Sequence, residues 1–310
     1  MLKKLLISAA CSSALLCSPA VAQEEDEGPT LFGGTFSANV TVATDYTFRG
    51  ISQNSGDPAV QGGFDWASDL FYAGTWASTV DFNDDFGTLA AGVAADLGVE
   101  PGLLDTADSG PSDGSQIEID LYGGFTPSFG DLSLDFGVIY YLYAGAPQDS
   151  DDVIVAETLT EDQLETIEDL GLVPGQVLLD FPDQNYLELH AAASYPLGPV
   201  EVGFNLTYSP DYYFETGDVL IPDLSFSVPI GGTTQLAGSD LSFSLSGNIG
   251  YLAFFDNGIP DGGGFGEDYW DFGIGVTANW FGLDFDARYI DTFSLAGNGS
   301  TGIFSVSKSF

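Results

Sequence analysis

Between Phe36 and Arg49 the side chains sort by parity, with Phe36, Ala38, Val40, Val42, Tyr46 and Phe48 set against Ser37, Asn39, Thr41, Asp45, Thr47 and Arg49. Successive side chains of a strand point to opposite faces, so the stretch predicts a strand with one oily and one wet side. Strands of globular proteins usually run about five or six residues, whereas a tilted membrane-spanning strand needs about 9 to 11. The same alternation predicts further strands over 59–67, 70–82, 116–125, 131–143, 186–195, 200–209, 218–229, 240–254, 270–280, 283–292 and 301–310. In the fourth run Ile117, Ile119, Leu121 and Phe125 oppose Glu118, Asp120 and Tyr122. In the fifth, even positions from Leu132 to Leu142 line up, while Ile139, Tyr141 and Tyr143 thicken its end with rings.

The connections alternate. Those after the even-numbered strands are mostly very short, and those after the odd-numbered strands are long, acidic and glycine-rich. That asymmetry belongs to an all-β, antiparallel, up-and-down transmembrane barrel of about twelve strands, with periplasmic termini and long acidic extracellular loops. A soluble sandwich also alternates, but its Greek-key crossings give no reason for the asymmetry. The longest insertion carries Thr160-Glu161-Asp162-Gln163, a capping box, followed by Leu164, Ile167 and Leu170 at helical spacing and Gly171 as a stop, which predicts one short surface helix.

Composition narrows the picture. Lys3 and Lys4, the apolar stretch from Leu5 to Leu16 and Ala20-Val21-Ala22 read as a signal peptide over 1–22. A lipoprotein acylated at Cys17 or Cys11 is the poorer alternative, because Leu15 and Leu16 are bulky before Cys17 and the run before Cys11 is short. Residues 23–35 form an acidic leader and 36–310 the barrel. Beyond residue 22 only Arg49, Arg288 and Lys308 are basic against 46 acidic residues, a balance that repels phosphate backbones and excludes nucleic-acid binding. Hydrophobic residues at 44% and aromatics at 14% exclude a disordered acidic chain. With no cysteine after the signal, strand pairing has to hold the fold.

The polar faces carry the candidate chemistry. Asp45, Arg49, Glu118, Asp120, Glu188, His190, Asp284, Asp286 and Arg288 are candidate pore-lining residues. Asp45 and Arg49 lie four apart on one face, and Arg288 shares the polar face of the eleventh strand with Asp286 and Asp284; each arginine either sets the field of a pore or braces the wall as a structural pair. Tyr72, Trp76, Trp270, Trp280 and Phe310 are candidates for aromatic girdles at the two membrane interfaces, and Lys308 would snorkel there. His190 is the single histidine, and a hydrolase would have to use it. No surrounding residue marks a nucleophile, so no catalytic residue is assigned. The Asp/Gly loops offer oxygen ligands without the ordered spacing of a calcium loop, so neither metal nor cofactor is expected.

The runs Val42-Ala43-Thr44-Asp45-Tyr46-Thr47-Phe48-Arg49-Gly50-Ile51-Ser52-Gln53, Gly56 to Asp65 and Phe71 to Phe82 resemble the opening of the TorF family of proteobacterial porins. Glu118 to Gly124, Tyr208-Ser209-Pro210-Asp211-Tyr212-Tyr213, Tyr269-Trp270-Asp271 and the closing Phe304 to Phe310 extend the resemblance over nearly the whole chain after the signal. It departs at 83–115 and 144–184, which are longer and more acidic. The resemblance implies a barrel in the outer membrane of a Gram-negative bacterium, and no substrate or catalytic residue. The sequence therefore predicts a pore for small solutes, favouring cations or neutral species, with a non-conducting, adhesin-like surface barrel and a hydrolase as alternatives. Its expected partners are membrane lipid and lipopolysaccharide, small solutes and, through Phe310, the barrel-assembly machinery.

Overall fold

A computed structural model of the chain describes residues 30–31, 33–82, 98, 103–106, 115–145, 153–156, 159–179, 184–255, 267–293, 295 and 299–310. The expected signal peptide, most of the leader and large parts of the loops at 83–115 and 256–267 lie outside the described residues.

Twelve strands form the wall: β1 (Gly34–Ala43), β2 (Ala59–Ala67), β3 (Phe71–Thr79), β4 (Ile117–Phe125), β5 (Leu132–Ala144), β6 (Tyr186–Leu197), β7 (Val200–Ser209), β8 (Val219–Leu236), β9 (Ser239–Phe254), β10 (Tyr269–Trp280), β11 (Leu283–Phe293) and β12 (Thr301–Ser309). Each pairs antiparallel with the next, and β12 returns to β1 with Ser305 opposite Ala43 and Ser309 opposite Asn39. The seam is completed by Phe310, whose N–H donates to the Ala38 carbonyl at 2.9 Å and whose carbonyl accepts from Ala38 at 3.2 Å. Closure leaves no strand edge, as hydrocarbon demands, because an unpaired backbone group there costs several kcal/mol, on the order of an unmade hydrogen bond in apolar solvent. Short turns such as Gly198-Pro199 and Ala237-Gly238 gather on the rim that carries both ends of the wall, and long connections on the other.

Parity divides outside from inside. Val42 is 54% exposed and Phe64 68%, with Leu121, Leu189, Phe204, Leu224, Ile249, Ile274 and Phe304 also exposed round the wall. Such an unbroken apolar belt is what a transmembrane barrel presents to lipid. Glu118, Asp135, Glu188, Thr207, Ser246, Asp271, Asp286 and Arg288 are buried on the inner face. Lys308 reaches the Gly282 carbonyl at 3.1 Å and lies against the Phe310 ring, so its stem follows the oily face while its amine finds a polar partner at the turn.

Three expectations need correction. The first strand stops at Ala43; residues 44–58 turn inward and make a small hairpin, Thr47–Phe48 against Ile51–Ser52. Tyr72 and Trp76 do not belong to an outer girdle, because their face of β3 is the inner one: Trp76 packs edge-on against Tyr46 at 5.5 Å and the Tyr72 hydroxyl donates to Asp135 at 3.0 Å. The outer face of that strand is mostly small (Ala73, Thr75, Ala77), so parity alone did not say which face was lipid. The eighth strand runs to Leu236, past the expected stop at Pro229, and forms an exposed hairpin with β9 through a shift between Ile230 and Thr234. Pro229 itself stays in register opposite Ser244, just before that shift.

The insertion between β5 and β6 carries α1 (Glu161–Asp169), started by Thr160 and Gln163 as a reciprocal capping box. Ile167 packs with Leu103 and Val155 beside a three-stranded sheet of Leu104–Thr106, Val153–Val155 and Val177–Leu179.

Glycines on the inner face let large rings lie flat on the wall. At Gly74 a Cβ would sit 2.5 Å from the Tyr122 ring, which crosses this position so that its hydroxyl donates to Asp65 at 2.5 Å. Gly74→Val is expected to lower the unfolding free energy by about 1 to 3 kcal/mol through overpacking, read as a shift in urea midpoint of the detergent-folded barrel.

Candidate functional site

On the loop side the lumen is filled. Residues 44–58 leave β1 and rejoin β2 where Ala43 and Ala59 are paired, so the segment begins and ends at one place on the rim. Arg49 (φ 48) and Gly50 (φ 82) form its turn, both in the left-handed region that a two-residue hairpin loop requires. For a residue with a Cβ that conformation costs roughly 1 to 2 kcal/mol. The cost places a guanidinium at the tip of a hairpin, aimed across the barrel.

Arg49 is 2% exposed and Glu188, on β6, is 0% exposed. Two parallel bonds join them, Nη1 to Oε1 at 2.6 Å and Nη2 to Oε2 at 2.9 Å. The planar fork of arginine matches a carboxylate in this way and a lysine could not. Nη1 also donates to the Tyr212 hydroxyl at 3.0 Å, and the guanidinium lies 4.4 Å from the centroid of Phe48. Burial alone would push the Arg49 pKa down, but the Glu188 carboxylate outweighs it and the group stays charged. On the other side a Cβ at Gly50 would overlap the Thr292 methyl and come within 3.3 Å of Asp271 Cβ. The hairpin thus spans the lumen from β6 to β10 and β11.

Rings fill the space around this bar. Phe48 meets Tyr141 at 5.7 Å, Tyr141 stacks on Tyr186 at 4.4 Å, Tyr186 meets Tyr212 at 4.9 Å, and Phe82 meets Tyr143 at 5.4 Å. Tyr212 and Tyr213 come from the connection between β7 and β8, so two connections fold in and share the socket. The Tyr46 hydroxyl donates to Glu118 at 2.7 Å. Burial and the nearby Glu118 raise the Tyr46 pKa well above 10, so it remains a donor.

The structure brings Arg49, Glu118, Asp120 and Glu188 to one level of the lumen. Asp45 does not pair with Arg49, since the chain has left the strand between them; its carboxylate accepts from Ser52 at 2.7 Å. Burial, ahead of that bond, raises its pKa above the ordinary aspartate value. On the far wall Arg288 Nε lies 3.4 Å from Asp286, Nη2 donates to Ser246 at 2.9 Å, and the side chain lies over Gly275. Asp286 accepts from Thr277 at 2.7 Å, and Asp284 from Asn279 at 2.8 Å. His190 stands apart, with Nε2 3.2 Å from the Tyr72 hydroxyl and 3.5 Å from Asp135. Among the described residues no serine or threonine hydroxyl is bonded to its ring. Of the girdle candidates, Trp270 and Phe310 are exposed on the outer face, and Trp280 sits beside Phe281 at the turn-side end of β10.

Toward the turn-side rim the inner wall is wet, with Ser37 exposed and Asn39, Asp65, Ser194, Asn205, Ser225 and Ser244 partly exposed. Among the described residues the inner face is packed at the loop side and partly exposed toward the turn side. Sequence reasoning missed Tyr46, Phe48, Tyr212 and the inner rings of β5 as parts of the closure. Their signal was the loss of alternation at 139–143, where both faces become apolar.

Residues 27–177 match a family described as "Bacterial protein of unknown function (Gcw_chp)". No curated protein matches the chain. Solved structures similar to it include LpxR from Salmonella typhimurium, at 10% identity over 88% of this chain and 99% of that one, TM-score 0.39. An outer membrane channel from Pseudomonas putida F1 has 12% identity over 93% and 99%, TM-score 0.39. The outer membrane protein OprD from Pseudomonas aeruginosa has 12% identity over 90% and 65%, TM-score 0.35. The fold rests on the strand order described above.

Removing one partner of the bar leaves the other charge buried. Glu188→Ala is expected to lower unfolding stability by about 3 to 5 kcal/mol, while Arg49→Leu combined with Glu188→Leu recovers most of the loss. Urea unfolding of the detergent-folded barrel followed by tryptophan fluorescence checks both.

Proposed function

We propose that the protein is an outer-membrane channel for small solutes, held shut at its loop side in this conformation, with a lumen that favours cations and neutral species over anions. The charge of the inner wall carries the reading. Asp65, Glu118, Asp120, Asp135, Glu188, Glu201, Asp223, Asp271, Asp284 and Asp286 lie on inward positions of the strands, against Arg49 and Arg288. Charge rings in a narrow, low-dielectric lumen concentrate counter-ions and exclude ions of the same sign. The resemblance to the TorF porins supports the same reading. On this reading the wall's two ends lie at the periplasmic rim, the acidic loops meet lipopolysaccharide, and the Phe310 seam meets the assembly machinery after export and cleavage behind Ala22.

A non-conducting surface barrel is the second reading, favoured by the packed rings around Arg49. Planar-bilayer recording of the refolded protein in a KCl gradient separates the two. The expected result is rare openings with a reversal potential of cation-preferring sign, moved toward zero in Asp223→Asn/Asp271→Asn. A reversal potential of anion-preferring sign overturns the charge argument.

A further inference from the structure

Resting on that channel reading, we infer that residues 44–58 are a gate that swings as a unit about its paired ends, with the Arg49–Glu188 ion pair as its bolt. Three features of the segment point to movement rather than to a fixed filling.

The first is its attachment. Thr44 follows Ala43 and Pro58 precedes Ala59, and those two residues are register partners on adjacent strands. A loop whose ends meet at one point on the rim can leave the lumen without stretching the wall: Thr44, whose N–H donates to the Phe304 carbonyl at 2.9 Å, stays behind as the hinge, and one backbone bond beyond it, from Asp81 N–H to the Gln53 carbonyl at 2.8 Å, is released. A segment crossing from one side of the barrel to the other could not.

The second is its internal cohesion. Gln53 N–H donates to the Tyr46 carbonyl at 2.7 Å, Ser52 to Asp45 at 2.7 Å, and Gly56 N–H to the Ser52 hydroxyl at 2.9 Å. The Asn54 amide donates to the carbonyls of Asp57 and Pro58 at 2.8 and 2.9 Å. These bonds lie within the segment and survive its displacement, so what moves is a folded hairpin.

The third is the chemistry of its contact with the wall. A permanent filling is best made of apolar side chains, since a buried ion pair returns little net stability for the desolvation it requires. Here the tip is a guanidinium and its seat a carboxylate, both of which regain water when separated. Tyr46 and Glu118 repeat the pattern, a phenol on the segment and a carboxylate on the wall. Such contacts hold one geometry while keeping the alternative soluble, which gives the two discrete states a gate requires.

The test uses the exported protein, in which residues 23–310 contain no cysteine, so that introduced thiols are unique. Single-channel recording compares the parent with Glu188→Gln, which keeps the shape of the seat, and Arg49→Ala, folding being verified by heat-dependent gel mobility. The gate predicts open probability rising about tenfold or more in both, the population shift expected from losing a coupling the size of a buried charge pair. Phe48→Cys/Tyr141→Cys, whose rings are neighbours in the closed form, tethers the segment when bridged by a short bis-methanethiosulfonate. Tethering is expected to abolish the openings and reductant to restore them. Folded Glu188→Gln that conducts like the parent, with tethering of no effect, overturns the gate and leaves the channel standing. Absence of conductance in parent and both bolt variants alike overturns the channel reading, and the gate with it.

Discussion

In hydrocarbon a backbone N–H or C=O has no water to turn to, and this constraint decides the shape of the chain. An open sheet would leave two rows of such groups at its edges. Here the last residues from Ser305 to Phe310 return to β1, and a single ring of antiparallel pairs satisfies the wall. Once the ring closes, the twofold repeat of a strand has only one meaning: one parity meets lipid and the other meets the lumen. The oily belt from Val42 round to Phe304 and the wet inner face follow from the same closure.

Closure creates the difficulty that the inside must solve. At the turn side the inward positions are small and polar, and they are partly exposed. At the loop side a segment of the chain, together with inner rings of β3, β5 and β6, occupies the space. Polar partners hold the charged groups that the segment meets in this packed region. Arg49 is held by Glu188 and the Tyr212 hydroxyl, and Glu118 accepts from Tyr46. Inner glycines contribute by absence: Gly74 and Gly275 allow Tyr122 and Arg288 to lie against the wall instead of across the lumen.

The wall was legible because its signal is periodic and repeated. Strand number, the alternation of short and long connections and the capped helix at Thr160 all depend on local patterns, and each appears where the pattern puts it. The closure was not legible, because it depends on residues far apart in sequence. Asp45 to Arg49 resume the parity of β1 after the single irregularity at Ala43-Thr44, too slight a local sign that the strand ends at Ala43. Arg49-Gly50 is a hairpin turn in hindsight, but its partner is 139 residues away. Tyr72 and Trp76 show the limit most clearly. A face of large rings reads as lipid-facing on a barrel strand, and only the company of Tyr46, Asp135 and His190 reveals that it lines a packed interior.

The assignment of faces is therefore the claim on which the account turns, and tryptophan fluorescence addresses it directly. Two single-tryptophan proteins, retaining Trp76 or Trp270 with the others changed to phenylalanine, are compared in vesicles of ordinary and bromine-labelled phospholipid. The account predicts strong quenching of Trp270 by the brominated chains and little change at Trp76, which is enclosed with Tyr46 inside the wall. Equal quenching of the two would contradict it.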